Sequence, residues 1–258
     1  MADTLHFEMH GHIAVITIDR PPHNALDPVT YSALSEAWTR VRDDDDIWVA
    51  VVTGTGDRAF TVGVDLKQPL PQPVTIENLW HTQGEAILNK GLEVWKPVIM
   101  AVNGLCVGGG MTMLMATDIR IAAEHATFML PEARRGILPG AGGTQRILRQ
   151  MPYAIAMEMI LLGEQLSAQD ALKYGLVNRV VPLEDLMPTA MDYAERLCQR
   201  APLTVQATKE LAVRSMDLGI NDGLRMETLV SFALRQTQDW KEGVAAFNEH
   251  RSAEFQAR

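Results

Sequence analysis

Cysteine is almost missing from this chain of 258 residues: Cys106 and Cys198 stand in unrelated contexts, with no histidines at metal-ligand spacing around them. A disulfide framework and a structural zinc site are therefore not expected, and a reducing, cytoplasmic setting is. Long apolar runs are missing too. The best stretch, Val98 to Val107, is broken by Asn103 and Gly104, well short of the roughly 18 residues a membrane span requires. Positive charge is in deficit: the formal net charge is −9 and charged residues are 21% of the chain, which argues against nucleic acid as a partner because phosphate binding needs a basic face. Met1 to Pro21 carries no basic start followed by a long apolar run, so it is expected to be mature sequence and not a leader. Repeats and low-complexity segments are absent.

What is present suits a folded globular chain. A hydrophobic fraction of 47% supplies a core for one large domain, or one domain with an appendage. Ile13 to Asp19 alternates apolar and polar residues and Ile47 to Thr53 is continuously apolar; both read as strands, the second buried on both faces. Between them Asp27-Pro28 has the form of an N-cap followed by proline, and Leu34, Ala37, Trp38 and Val41 recur at helical spacing. The four aspartates Asp43 to Asp46 read as a solvated turn. Gln68 to Pro73, with three prolines, reads as a loop, and a helix is expected from about Ile76 to Val94. Pro97 to Val102, Ile119 to Ala123 and Ala126 to Met129 read as further strands, so the first half implies an α/β core. From Gly142 helical patterns dominate, broken at Gly163, Gly175, Pro182, Pro202 and Gly219. The last third, from Pro202, holds three amphipathic stretches ending in Trp240 to Phe255, suited either to covering the core or to meeting partner subunits.

Two glycine segments carry the chemistry. In Ala59 to Lys67 a strand turns at Gly63 into an expected helix with Asp65 near its start, where backbone N–H groups lack internal acceptors. Asn103 to Gly110 follows a strand, ends in three glycines and leads into Met111 to Ala116, baring the backbone for the approach of an oxygen atom. Neither has the dinucleotide fingerprint or a GK[ST] continuation, so a nucleotide cradle is the weaker reading. Close helix packing is the purely structural alternative.

The chain resembles the crotonase superfamily, the enoyl-CoA hydratase and isomerase family, over nearly its whole length. The resemblance is carried by Ile18-Asp19-Arg20-Pro21, Asn24-Ala25-Leu26, Gly63 to Lys67, Ala101 to Gly104, the triple glycine, Asp118, Phe128 to Ala133 and Gly136 to Arg146, in order and in spacing. It implies an α/β fold in which repeated β-β-α units form a spiral core (residues 1–200), followed by a C-terminal helical trimerisation region (201–258), with assembly as a homotrimer or as a hexamer of paired trimers. It also implies an acyl-CoA substrate, coenzyme A being part of that substrate and no other cofactor or metal needed.

By the same resemblance, the N–H groups of Val64 and Gly109 form an oxyanion hole and Glu132 moves protons. Removing a proton beside a thioester, or adding water to its conjugated double bond, places negative charge on the carbonyl oxygen, which two fixed donors stabilise. A glutamate in a water-poor acyl pocket should have a raised pKa suited to that exchange. The adenine, phosphates and pantetheine are expected near Asn24, Ala25 and Leu26, near Arg58, and along Gly63, Asp65, Leu66 and Lys67, where Arg58 and Lys67 provide a local basic pocket. One departure stands out: hydratases of the family carry a second glutamate two residues after the triple glycine, and this chain has Thr112. Three readings stay open: hydration by Glu132 with the Thr112 hydroxyl orienting water, isomerisation by one shuttling carboxylate, or another acyl-CoA reaction such as hydrolysis. A dienoyl-CoA isomerase is disfavoured by Gly140, where that subgroup has an aspartate. A noncatalytic acyl-CoA binder is the rival from a different class. Leu70, Trp80, Leu88 and Met115 are candidates for lining the pocket.

Overall fold

A computed structural model of the chain describes residues 3–68 and 87–258. Among these residues the chain winds repeatedly between two sheets. A six-stranded sheet has the order β1 (Leu5–His10), β2 (Ile13–Ile18), β3 (Val49–Gly54), β5 (Val98–Val102), β7 (Ile119–Ala123) and β10 (Arg179–Val181). A smaller sheet has the order β4 (Ala59–Thr61), β6 (Leu105–Val107), β8 (Thr127–Met129) and β9 (Leu166–Ser167). Each turn of the spiral leaves one strand in the large sheet and the next in the small one: β3 then β4, β5 then β6, β7 then β8. All pairings are parallel except β1 with β2 and β8 with β9.

The strand residues divide between two apolar layers by the two-residue period of a strand. Ala14, Ile16, Ile18, Ala50, Val52, Val98, Met100 and Val102 face α1 (Pro28–Asp43) and the small sheet. Ile13, Val15, Val49, Val51, Ile99, Ala101, Ile121 and Ala123 face α6 (Leu183–Cys198), which answers with Leu186, Ala190 and Ala194. Fully burying one such aliphatic side chain contributes about 1.5–3 kcal/mol, so covering both faces explains why Ile13 to Ile16 of β2, expected to alternate, and Val49 to Val52 of β3 are continuously apolar. The first helix begins as its sequence foretold: Asp27 accepts from the Thr30 N–H at 2.8 Å, and Ala33, Leu34, Ala37, Trp38 and Val41 form the buried stripe. The aspartate run closes it as a turn, with Arg40 on Asp44, Arg42 on Asp43 and Lys96 donating to the Asp44 carbonyl.

The remaining helices are α2 (Gly109–Leu114), α3 (Gly143–Gln150), α4 (Tyr153–Leu162), α5 (Ala168–Lys173), α7 (Pro202–Arg214), α8 (Ile220–Leu234) and α9 (Gln238–Glu249). The breaks fall at the foreseen glycines and prolines, while the short strands β9 and β10 were not foreseen. Three expectations need correction. The helix expected up to Val94 lies mostly outside the described residues, and its described end is a 3-10 turn, Leu88–Lys90, after which the chain leaves helical geometry at Gly91. No helix begins at Asp65 in the described residues: Val64 bridges Leu26, and Asp65 to Gln68 is a turn. The last helix stops at Glu249, and the tail turns back so that Gln256 and Ala257 donate to the buried Asp239. Among the described residues no helix is long and apolar enough to cross a membrane.

Candidate active site

The small sheet delivers the first glycine segment. Beyond β4, the Thr61 hydroxyl donates to the Asn24 carbonyl and accepts from the Gly63 N–H. Leu26 N donates to Gly63 O at 2.8 Å and Asp65 N to Leu26 O at 3.0 Å. That pattern is a parallel bridge in which Leu26 uses both its backbone groups on the residues flanking Val64. The Val64 N–H is thereby turned to the other side, where it donates to no described residue. It is freed by the bridge and not, as the sequence suggested, by the first turn of a helix. Arg20 locks the arrangement, pairing with Asp65 at 2.9 Å and Asp27 at 3.2 Å. Those contacts hold the Asp65 carboxyl below its ordinary value: first the Lys67 N–H, then Arg20.

The second segment comes off β6, and Gly108 N donates to Met129 O. Gly109 is the first residue of α2, so its N–H has no acceptor four residues back, and it too donates to no described residue. The two segments touch. A methyl group added at Gly63, whose φ is +80°, would lie 2.7 Å from Gly109 N and 2.9 Å from Val107 O. One added at Gly110 would lie 2.7 Å from Thr61 Cγ2. Only glycine permits this approach, which brings together the two segments whose Val64 and Gly109 N–H groups have no acceptor among the described residues.

Glu132 opens the 3-10 turn Glu132–Arg135 just after β8. Its carboxylate lies against Gly108: Oε1 would be 3.2 Å from a methyl there. Oε2 is buried without a hydrogen-bond partner. Burial pushes the Glu132 carboxyl above its ordinary range, opposed by its own backbone N–H and by Arg135. An unsatisfied buried carboxyl oxygen is costly in a resting fold and suits a group that hands protons to and from a ligand.

The other predicted residues are placed as follows. Thr112 is buried; its hydroxyl donates to Gly109 O at 3.0 Å and accepts from Asn89 Nδ2 at 2.9 Å. Asn24 is buried and ties loops together through Arg20 N, Thr55 O and Ala59 O. Leu26 is buried as well, which leaves half-buried Ala25 as the accessible member of that trio. Arg58, Leu66 and Lys67 are exposed, and neither cation has an ion-pair partner among the described residues. Leu88 and Met115 sit in the core, and Leu70 and Trp80 lie outside the described residues. Two residues at the site escaped the sequence reading. Tyr31 brings its hydroxyl to 3.3 Å from a methyl position on Gly109, and burial pushes its pKa up to about 12; it continues the stripe of Leu34 and Trp38 by one turn, a legible signal. Asn89, inside a stretch read as helix, gave none. No cluster of three or more metal-ligating side chains occurs among the described residues.

Strands wound between two sheets, with two glycine turns meeting beside one half-buried carboxyl, place the molecule in the crotonase class of folds. The chain belongs to the enoyl-CoA hydratase/isomerase family, whose sequence profile matches residues 8–258. It is 43% identical over 249 residues to (E)-benzylidenesuccinyl-CoA hydratase of Thauera aromatica, covering 96% of this chain and 97% of that one. It is 37% identical over 262 residues to carnitinyl-CoA dehydratase of Salmonella enteritidis, covering 100% of both. Among solved structures it is similar to an enoyl-CoA hydratase from Bacillus anthracis, with a TM-score of 0.90 and 32% identity over 99% of this chain and 100% of that one.

Proposed function

We propose that this enzyme adds water reversibly across the α,β double bond of an acyl-CoA thioester, with Glu132 as the acid and base and the Val64 and Gly109 N–H groups as the oxyanion hole. The observation that carries the reading is the half-buried Glu132 carboxyl, with Oε1 against the glycine turn that offers the donors and Oε2 buried without a partner. In the forward direction a water loses a proton to the Glu132 carboxylate while its oxygen bonds to the β carbon. The π electrons move onto the thioester oxygen, where the two N–H groups hold the enolate. The enolate then collapses and the α carbon takes the proton back from Glu132, so the carboxylate is regenerated and coenzyme A is unchanged. Losing one oxyanion donor commonly costs about 3 kcal/mol of barrier lowering.

The names of the relatives, a hydratase and a dehydratase, support hydration over a simple shift of the double bond. The exposed cations Arg58 and Lys67 flank the first glycine segment and are assigned to the coenzyme A phosphates. Ile220, Phe232, Trp240 and Phe247, all exposed on α8 and α9, are assigned to contacts between copies in a trimer or hexamer. Incubating the enzyme with 2-enoyl-CoA and 3-enoyl-CoA in heavy-oxygen water, followed by mass spectrometry, tests the reaction. Heavy oxygen in the product is expected; a positional shift without it would make the enzyme an isomerase.

A further inference from the structure

Hydration needs more than a base: the attacking water must be held in place by a second acceptor, and in this chain the position two residues beyond the triple glycine offers Thr112, which cannot serve. Its hydroxyl has one hydrogen, and that is spent on Gly109 O. Its oxygen is already approached by the Asn89 amide at 2.9 Å. Because Thr112 can only accept from Asn89, the amide orientation is fixed: Nδ2 faces Thr112 and Oδ1 turns away from it.

Asn89 is held at both ends. Its backbone carbonyl accepts from Arg146 Nη1 at 3.0 Å, and its side chain is pinned by Thr112. The residue is only 7% exposed, and Oδ1 accepts from no described residue, which leaves that oxygen available to a donor from a ligand. Gly108 is the N-cap of α2, and its carbonyl accepts from the Thr112 N–H at 3.0 Å. Glu132 lies against Gly108 and Asn89 against Thr112, so carboxylate and amide approach the residues on either side of the oxyanion residue Gly109.

We propose that Asn89 is a catalytic residue of the hydration reaction: its Oδ1 accepts a hydrogen bond from the attacking water while Glu132 takes the other proton, standing in for the carboxylate that Thr112 replaces. The proposal rests on the hydration reading above. It is tested with Asn89→Ala and Asn89→Asp by two rates measured side by side: heavy-oxygen incorporation into 2-enoyl-CoA, and exchange of the α protons of a saturated acyl-CoA with heavy water, which needs Glu132 and the oxyanion hole but no attacking water. Asn89→Ala should lower the hydration kcat by on the order of 100-fold, leaving KM and α-proton exchange within about threefold. Asn89→Asp keeps the oxygen acceptor and removes the amide donor, and should hydrate within about tenfold of the parent. The idea is overturned if hydration by Asn89→Ala is undiminished, if hydration and exchange fall together in a folded Asn89→Ala, or if Asn89→Asp is as inactive as Asn89→Ala. Should Asn89→Ala not fold, the aspartate variant alone decides. If the parent enzyme itself incorporates no heavy oxygen, the hydration reading fails and takes this role for Asn89 with it, an outcome separate from failure of Asn89 alone.

Discussion

The contact between the two glycine turns can be attacked with one methyl group. In Gly63→Ala the added carbon would sit 2.7 Å from Gly109 N and 2.9 Å from Val107 O, against ordinary carbon contacts of about 3.5 Å or more. Both obstacles are backbone atoms, so the segments must part by several tenths of an ångström, displacing one predicted donor from the other. If the displacement removes one oxyanion hydrogen bond, kcat should fall by about 100- to 1000-fold. Placing a methyl at φ +80° also costs about 1–2 kcal/mol of stability by itself, and that strain has to be separated from the effect on the site. Gly175 provides the control, with φ +78° and nothing within 4 Å of an added methyl. Gly175→Ala should show the stability loss and keep its activity. The assay is thermal unfolding of both variants together with the decay of the conjugated thioester absorbance of 2-enoyl-CoA. A Gly63→Ala enzyme with kcat within threefold of the parent would refute the geometry, as would a Gly175→Ala enzyme that loses as much activity.

Three further outcomes follow from the charges at the site. Because burial raises the Glu132 carboxyl above the ordinary glutamate range, kcat/KM should fall at acid pH with a midpoint above that range, since the base must be ionised; Glu132→Gln should be nearly inactive and lose that limb, and a parent profile flat down to pH about 4.5 would exclude this base. The sign for stability is the reverse of a paired carboxylate: a raised folded pKa means that stability is lost as pH climbs from the unfolded value through the folded one, so Glu132→Gln should melt at or above the parent at neutral pH, as calorimetry can measure. Replacing Arg58 and Lys67 together by alanine should raise KM for acyl-CoA several-fold with kcat little changed and weaken its salt dependence, and a KM equal to the parent's at low salt would show that the phosphates bind elsewhere.

Much of the scaffold was legible because its signals are local. Asp27-Pro28 and the spacing of Leu34, Trp38 and Val41 set α1, the glycines and prolines after Gly142 cut the helices, and the unbroken apolar runs around Val51 and Ile99 required sheets covered on both sides. The strands β9 and β10 were missed because residues as few as Leu166 and Ser167 carry no period; what makes them strands is an existing sheet edge with unpaired backbone groups. The glycine segments and Glu132 were legible as residues, through their spacing and likeness to a family.

What joined them was not. The freedom of the Val64 N–H comes from a bridge to Leu26, a residue 38 positions earlier in the chain, and the setting of Glu132 against Gly108 comes from parallel β6 and β8 ending side by side. Asn89 has no signature of its own, because an asparagine becomes a water acceptor only when Thr112 fixes its amide and Arg146 its carbonyl. Sequence alone therefore determined which backbone turns and which carboxylate this protein possesses, since those depend on residue type and local spacing. The tertiary structure decided what each polar group faces, because that depends on contacts between segments far apart in the chain.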